Sequence, residues 1–156
     1  MANMIDALTH VTGALFGLDI GVKTIGVAVS DPAQTLATPL QTIKRTKFTN
    51  DVNTLLEWAG ERNITGFVLG LPRNMDGTEG PKAQSVKTFG RNLARHTDLP
   101  IALWDERLST AAAERELIGL DVSRAKRAAV IDSHAASFIL QGALDRLQSI
   151  RNEGSR

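Results

Sequence analysis

An aspartate stands inside an apolar, strand-like run near the start of this chain. The run reads Leu15-Phe16-Gly17-Leu18-Asp19-Ile20-Gly21 and continues through Val22-Lys23-Thr24 into Ile25-Gly26-Val27-Ala28-Val29-Ser30-Asp31. An ionised carboxylate resists leaving water unless something compensates its charge. Asp19 therefore calls for a cation, a set of hydrogen-bond donors or a metal. Gly21 and Gly26 admit close approach of backbone or ligand.

Composition narrows the choice. With 156 residues the chain is about one domain, long enough for a sizeable core. It has no cysteine, which excludes disulfides, zinc–thiolate sites, iron–sulfur clusters and cysteine nucleophiles, and fits a reducing compartment. No apolar run approaches the roughly 18 residues of a membrane span, so no membrane partner is expected. Met1 to Thr12 lack a basic cluster ahead of an apolar stretch. They read as a loose extension (1–12), and the expected location is cytoplasmic. A net charge of +1 says nothing for nucleic acid by itself; distribution has to carry that argument.

Strands come first, then alternation. Ala14 to Ile20 and Thr24 to Ser30 read as a hairpin joined at Gly21-Val22-Lys23, and Ala37 to Lys44 as a third strand. Phe48 to Arg62 reads as a helix, with Val52, Leu55, Leu56 and Ala59 on one face. Gly66 to Leu71 is a short apolar run of the kind buried on both faces. A loop from Pro72 to Gly80 follows, with Asn74, Asp76-Gly77 and Gly80 as turn signals. Pro81 suits the first position of a helix to about His96. Pro100 to Trp104 is another buried strand. Ser109 can cap a helix to about Ile118, Gly119 to Ser123 reads as a hinge, and Arg124 to about Ile150 as one long helix. The order β-β-β-α-β-α-β-α-α predicts an α/β domain over 13–150, a mixed five-stranded sheet with helices on both faces, and a flexible tail over 151–156.

Three acidic positions share one logic. Asp19 lies in the first strand. Asp105 and Glu106 end the strand Ile101 to Trp104, and being adjacent they face opposite ways, so only one readily joins a site. Asp132 shares a helix face with Ala128, Ala129, Ala135, Ala136 and Ile139, an inward-pointing stripe of small residues. Carboxylates from three elements suggest a shared cation, and hard oxygen ligands select Mg²⁺ or Mn²⁺. Phosphodiester cleavage suits such a site, because two ions about 3.5–4 Å apart activate water on one side and stabilise the leaving oxygen on the other.

Four blocks of sequence then resemble one family. They are Gly17-Leu18-Asp19-Ile20-Gly21 through Gly26 to Asp31; Gly70-Leu71-Pro72-Arg73-Asn74-Met75-Asp76-Gly77-Thr78-Glu79-Gly80-Pro81; Asp105-Glu106-Arg107-Leu108-Ser109-Thr110; and Ile131-Asp132-Ser133-His134-Ala135-Ala136. Together they are similar to the YqgF family, whose members are also called RuvX. The resemblance implies an RNase H-like fold and a nuclease, or hydrolase, acting in ribosome biogenesis on the 5′ end of 16S ribosomal RNA. An alternative by analogy is a Holliday junction resolvase on branched DNA, which would need two sites and hence a homodimer. It further implies that Asp19, Glu106 and Asp132 are the metal-binding and catalytic acids, and that the loop from Pro72 to Gly80 borders the substrate. Thr24 departs from the pattern, since the family usually carries arginine there.

Other residues carry weaker signals. Lys23, Arg73, Asn74 and Arg107 are the candidate substrate contacts, with Arg107 equally suited to bracing the acids by ion pairing. Asn74 to Gly77 also fits a simple tight turn. His134, about 200° round the helix from Asp132, reads as a surface residue. Trp58 and Trp104 read as core. Lys44-Arg45-Thr46-Lys47 is the densest basic group and reads equally as a solvated turn; Arg73 and Lys82 flank the loop, and Arg124, Lys126 and Arg127 open the long helix. Few aromatics (4%, no tyrosine) argue for backbone and shape recognition over base stacking. Two other functions fit parts of the pattern. An ATP-binding module shares the acidic strand and glycine turn but needs two lobes, and the chain has room for one. A non-catalytic nucleic-acid-binding or assembly factor would retain the fold.

Overall fold

A computed structural model describes the backbone over residues 3–108 and 124–154, with side chains over 4–108 and 134–153. The expected helix from Ser109 and the hinge at Gly119 to Ser123 lie outside the described residues. Six strands form one sheet: β1 (Asn3–Met4), β2 (Leu15–Ile20), β3 (Thr24–Ser30), β4 (Ala37–Lys44), β5 (Gly66–Leu71) and β6 (Ile101–Asp105), in the order β1-β6-β5-β2-β3-β4. Strands β2, β5 and β6 run parallel, with Leu18 opposite Leu69 and Leu69 opposite Leu103. Strands β2, β3 and β4 are antiparallel. Helices are α1 (Phe48–Glu61), α2 (Pro81–Leu93) and α3 (Arg124–Gly154). Five strands lie where the sequence pattern puts them, and β1 adds a short sixth.

Local chemistry explains the elements. Every residue of β5 is buried, as a continuous apolar run between two helical layers requires. The edge strand β4 alternates instead, and its pairing with β3 shifts register between Val27 and Ala28, which faces Pro39. Proline has no N–H to give the ladder, so an edge strand with an irregular register is where it fits. Gly21 closes the β2–β3 turn by donating to the Thr24 carbonyl at 2.8 Å; a Cβ there would sit 2.8 Å from that same oxygen.

The pleat divides the core in two. Phe16, Leu18, Phe67, Leu69 and Leu103 pack with Val52, Leu55, Val86 and Phe89 of α1 and α2. Leu15, Ala28, Val68, Ala102 and Trp104 pack with Ala136, Ile139, Leu140, Ala143 and Leu144 of α3. Trp104 is core, as expected, and Trp58 packs against the first cluster. Burying each large side chain is worth about 1.5–3 kcal/mol, so both layers hold the sheet.

Three boundaries are corrected. Residues 3–8 are no loose extension: Asn3 and Met4 pair with Ala102 and Leu103, and Ile5 and Leu8 of the following 3₁₀ turn (Ile5–Leu8) are buried. Residues 151–154 continue α3 rather than forming a tail. The Arg151 guanidinium donates to the carbonyls of Leu8, Thr9 and Val11, tying that helix end to the amino-terminal segment. Helix α2 ends at Leu93, not near His96, because the next residues form three-residue turns: Arg95 N–H donates to Asn92 and His96 N–H to Leu93.

Candidate active site at the carboxyl edge of the sheet

Three parallel strands end at one edge of the sheet, and the acids sit there. Asp19 is next to last in β2, and Asp105 ends β6 with Glu106 opening a 3₁₀ turn (Glu106–Leu108). Asp19 shares its face of β2 with Leu15 and Gly17, the face that α3 covers. A cleft of about 410 Å³ opens at this edge. It is lined by Asp19 and Glu106, by the turn Ile20-Gly21-Val22, by Gly70 and Pro72 at the end of β5, and by Pro81, Lys82 and Ser85 of α2. The structure thus brings two of the three expected acids to one cavity. Asp132 belongs to α3, four residues before the buried Ala136; its side chain lies outside the described residues.

Missing side chains make this geometry. A Cβ on Gly17 would lie 2.6 Å from the Leu140 Cβ and 3.0 Å from the Ala136 carbonyl oxygen. A Cβ on Gly70 would lie 2.5 Å from Ile139 Cδ1 and 2.7 Å from Glu106 Oε1. The three shortest of those distances are inside any real contact, and the 3.0 Å one is tighter than most. Glycine at both positions lets α3 settle on the sheet, and Gly70 also makes room for the Glu106 carboxylate.

Adjacent Asp105 goes to the other face. It is 4% exposed. Its carboxylate accepts from the Arg107 backbone N–H at 3.0 Å, from Arg107 Nε at 3.1 Å and from Arg107 Nη2 at 2.7 Å, and Arg73 Nη1 lies 3.5 Å away. These bonds, Arg107's side chain first, hold the Asp105 carboxyl below the usual carboxylate range. The same pairing makes Arg107 still harder to deprotonate.

The candidate substrate contacts are largely engaged within the protein. Arg73 is shared between Asp105 and Glu79, whose other oxygen pairs with Lys87. Lys87 first, then Arg73, lower the Glu79 pKa. Arg107 braces Asp105, the second of its two expected roles. Asn74 closes a turn: its amide donates to Thr78 Oγ1 at 2.9 Å, and its carbonyl accepts from Gly77 N–H at 2.8 Å. Gly77 has φ +89, which suits glycine, and Asp76 accepts from both the N–H and the hydroxyl of Thr78. Lys23 is exposed on the β2–β3 turn. His134 is half-buried rather than on the surface.

Of three further contributors, the sequence marks Lys82 and Arg45 only as basic residues and does not mark Ser85. Lys82 and Ser85 line the cleft from the first turns of α2; their three-residue spacing just after Pro81 puts them on one helix face. Arg45 is no solvated turn residue. Its Nη1 donates to the Gly21 carbonyl at 2.6 Å, its Nε lies 4.0 Å from the buried Asp51, and its guanidinium stands 5.8 Å from the Phe89 ring centre. It holds the cleft-lining turn from behind.

The donor set suits a hard cation: carboxylate oxygens, and no thiolate anywhere in the chain. Among the described residues no three His, Asp or Glu side chains converge.

The fold has known counterparts. The fold matches that of Thermus thermophilus RuvC in complex with a Holliday junction substrate, with TM-score 0.56 and 14% identity over 88% of this chain and 97% of that one. A second Thermus thermophilus RuvC structure matches at TM-score 0.50. The domain therefore has an α/β fold similar to that of the RNase H-like RuvC resolvases. The profile of the RuvX family, described as Holliday junction resolvase, matches residues 13–146, and the chain belongs to that family. A protein of Bradyrhizobium sp. (strain ORS 278), named "Putative pre-16S rRNA nuclease", is 69% identical over 91% of this chain and 88% of its own length. A protein of the same name from Nitrobacter hamburgensis is 67% identical over 95% and 92%.

Proposed function

We propose that this chain is a metal-dependent nuclease that hydrolyses phosphodiester bonds of structured nucleic acid, with the 5′ end of precursor 16S ribosomal RNA as its substrate. The observation that carries the reading is the pairing of Asp19 and Glu106 in one cleft at the carboxyl edge of the parallel strands. Relatives with at least 67% identity over nearly their whole length bear the name of that activity. No helix among the described residues is long and apolar enough to cross a membrane, which suits a protein acting where ribosomal RNA is made, in the cytoplasm.

Asp19 and Glu106, with Asp132 from α3, are the carboxylates that would hold Mg²⁺ or Mn²⁺. An ion bound there supplies Lewis acidity to activate water and to stabilise the leaving oxygen. Gly70 keeps the Glu106 carboxylate against β5, and Arg45 fixes the turn that follows Asp19. The Arg73–Asp105–Arg107 network anchors the backbone on which Glu106 sits. The acids must be ionised to bind metal, so activity fails in acid.

The test is cleavage of end-labelled precursor 16S RNA and of a four-way DNA junction, with Mg²⁺, Mn²⁺ or chelator. RNA cut near the mature 5′ end, with loss of cutting in chelator and in Asp19→Asn, is the expected result. Junction cleavage without RNA cleavage would favour the resolvase, acting as a dimer. Cleavage that survives Asp19→Asn would contradict the site.

A further inference from the structure

The cleft walls are unequal. Asp19 comes from β2 and Glu106 from the turn after β6, whereas Lys82 and Ser85 come from α2. A nucleic-acid strand carries a charge at every phosphate, so a protein cation in the cleft, beyond any ion at the acids, would help hold it. The arginines flanking this edge are committed: Arg73 to Glu79 and Asp105, Arg107 to Asp105. Among the described residues Lys82 is the one cation lining the cleft, and no carboxylate among them pairs with it. It is exposed, as is Ser85, so both are available to a ligand. A lysine ammonium suits phosphate as a mobile point charge, and a serine hydroxyl adds a donor.

We propose that Lys82 and Ser85 form the phosphate-holding wall of this cleft and grip a backbone phosphate of the nucleic-acid strand. The proposal rests on the reading above only in taking nucleic acid as the cleft's occupant. It assigns the positioning of that strand to α2 rather than to Arg73, Asn74 or Arg107.

Binding of a fluorescein-labelled RNA hairpin, followed by anisotropy in chelator from 50 to 200 mM salt, tests it without any cleavage. Neutralising one phosphate contact lowers the log–log salt slope by about 0.7–0.9, so Lys82→Met should lose about threefold less affinity across that range than wild type. Lys82→Arg should keep the wild-type slope. Ser85→Ala should weaken binding about two- to tenfold at unchanged slope. Arg62→Met, at the end of α1 on the opposite edge of the sheet, is the control and should match wild type. An unchanged slope in Lys82→Met, an equal drop in Arg62→Met, or full affinity in Ser85→Ala would overturn the proposal. A reduced slope in a protein that cuts no nucleic acid would keep this wall and remove the nuclease reading. Metal-dependent cutting with an unchanged slope would do the reverse.

Discussion

On one face of the sheet, α1 and α2 pack over Phe16, Phe67, Leu69 and Leu103; on the other, α3 packs over Leu15, Gly17, Val68 and Gly70. The first face is filled with large side chains and makes a conventional core. The second also buries large residues, Leu15, Val68 and Trp104 against Ile139, Leu140 and Leu144, but carries glycine at two points of closest approach, Gly17 and Gly70. The candidate acids belong to this second face, with Asp19 in step with Gly17 and Glu106 against Gly70. Asp105, one residue from Glu106, lies on the other side and is fixed by arginines. Bulk supplies stability on both faces, and on the second its local removal at Gly17 and Gly70 lets α3 approach and makes room for the Glu106 carboxylate.

The comparison can be broken by changing each face separately. Leu55→Ala, at a fully buried site of the filled face, should have the largest effect on folding, about 2–5 kcal/mol in chemical denaturation. Its folded fraction should keep cleavage activity. Gly70→Ala should cost less stability, about 1–3 kcal/mol of overpacking, yet should sharply reduce cleavage, because the new methyl would press on Ile139 and the Glu106 carboxylate. If the two variants lose activity only in proportion to unfolding, the faces do not differ as argued.

Asp105→Asn sharpens the same contrast through pH. The folded carboxyl titrates below its unfolded value near pH 3.9, so its ionised form favours the folded state. That stability is present at neutral pH and is lost as pH falls from the unfolded value through the folded one. The variant should be less stable than wild type by about 1–3 kcal/mol at pH 7, with the difference closing below about pH 4. Denaturation curves at the two pH values measure it. The smallest effect belongs to the self-contained loop: Asn74→Ala removes one exposed bond to Thr78 and should change RNA affinity less than about twofold.

Much of this was legible in the sequence. The alternation of apolar runs and amphipathic segments is local information, and the five main strands follow from it. Asp19 stands out because a charge in an apolar strand needs a reason. Other features depend on partners far along the chain. Two apolar residues, Ile5 and Leu8, carry no periodicity, so their burial was invisible until the sheet edge beside β6 existed to receive them. Arg151 looks like any helix-end cation until the carbonyls of Leu8, Thr9 and Val11, more than a hundred residues earlier, are brought beneath it. Spacing separates Asp105 and Glu106 only as facing opposite ways, and the family resemblance picks Glu106; the pairing of β6 with β5 is what turns it to the cleft. Arg73 looked like a phosphate contact because Glu79 and Asp105 are remote or ambiguous in sequence, and both turn out to hold it.

The division of labour between neighbouring acids is the claim on which the account turns. Its most direct test is the metal-dependent cleavage rate of labelled precursor 16S RNA by Glu106→Gln and Asp105→Asn, each at neutral pH and corrected for folded fraction. The account predicts that Glu106→Gln falls to the rate seen with chelator while Asp105→Asn retains metal-dependent cutting. Equal loss in both, or a fully active Glu106→Gln, would contradict it.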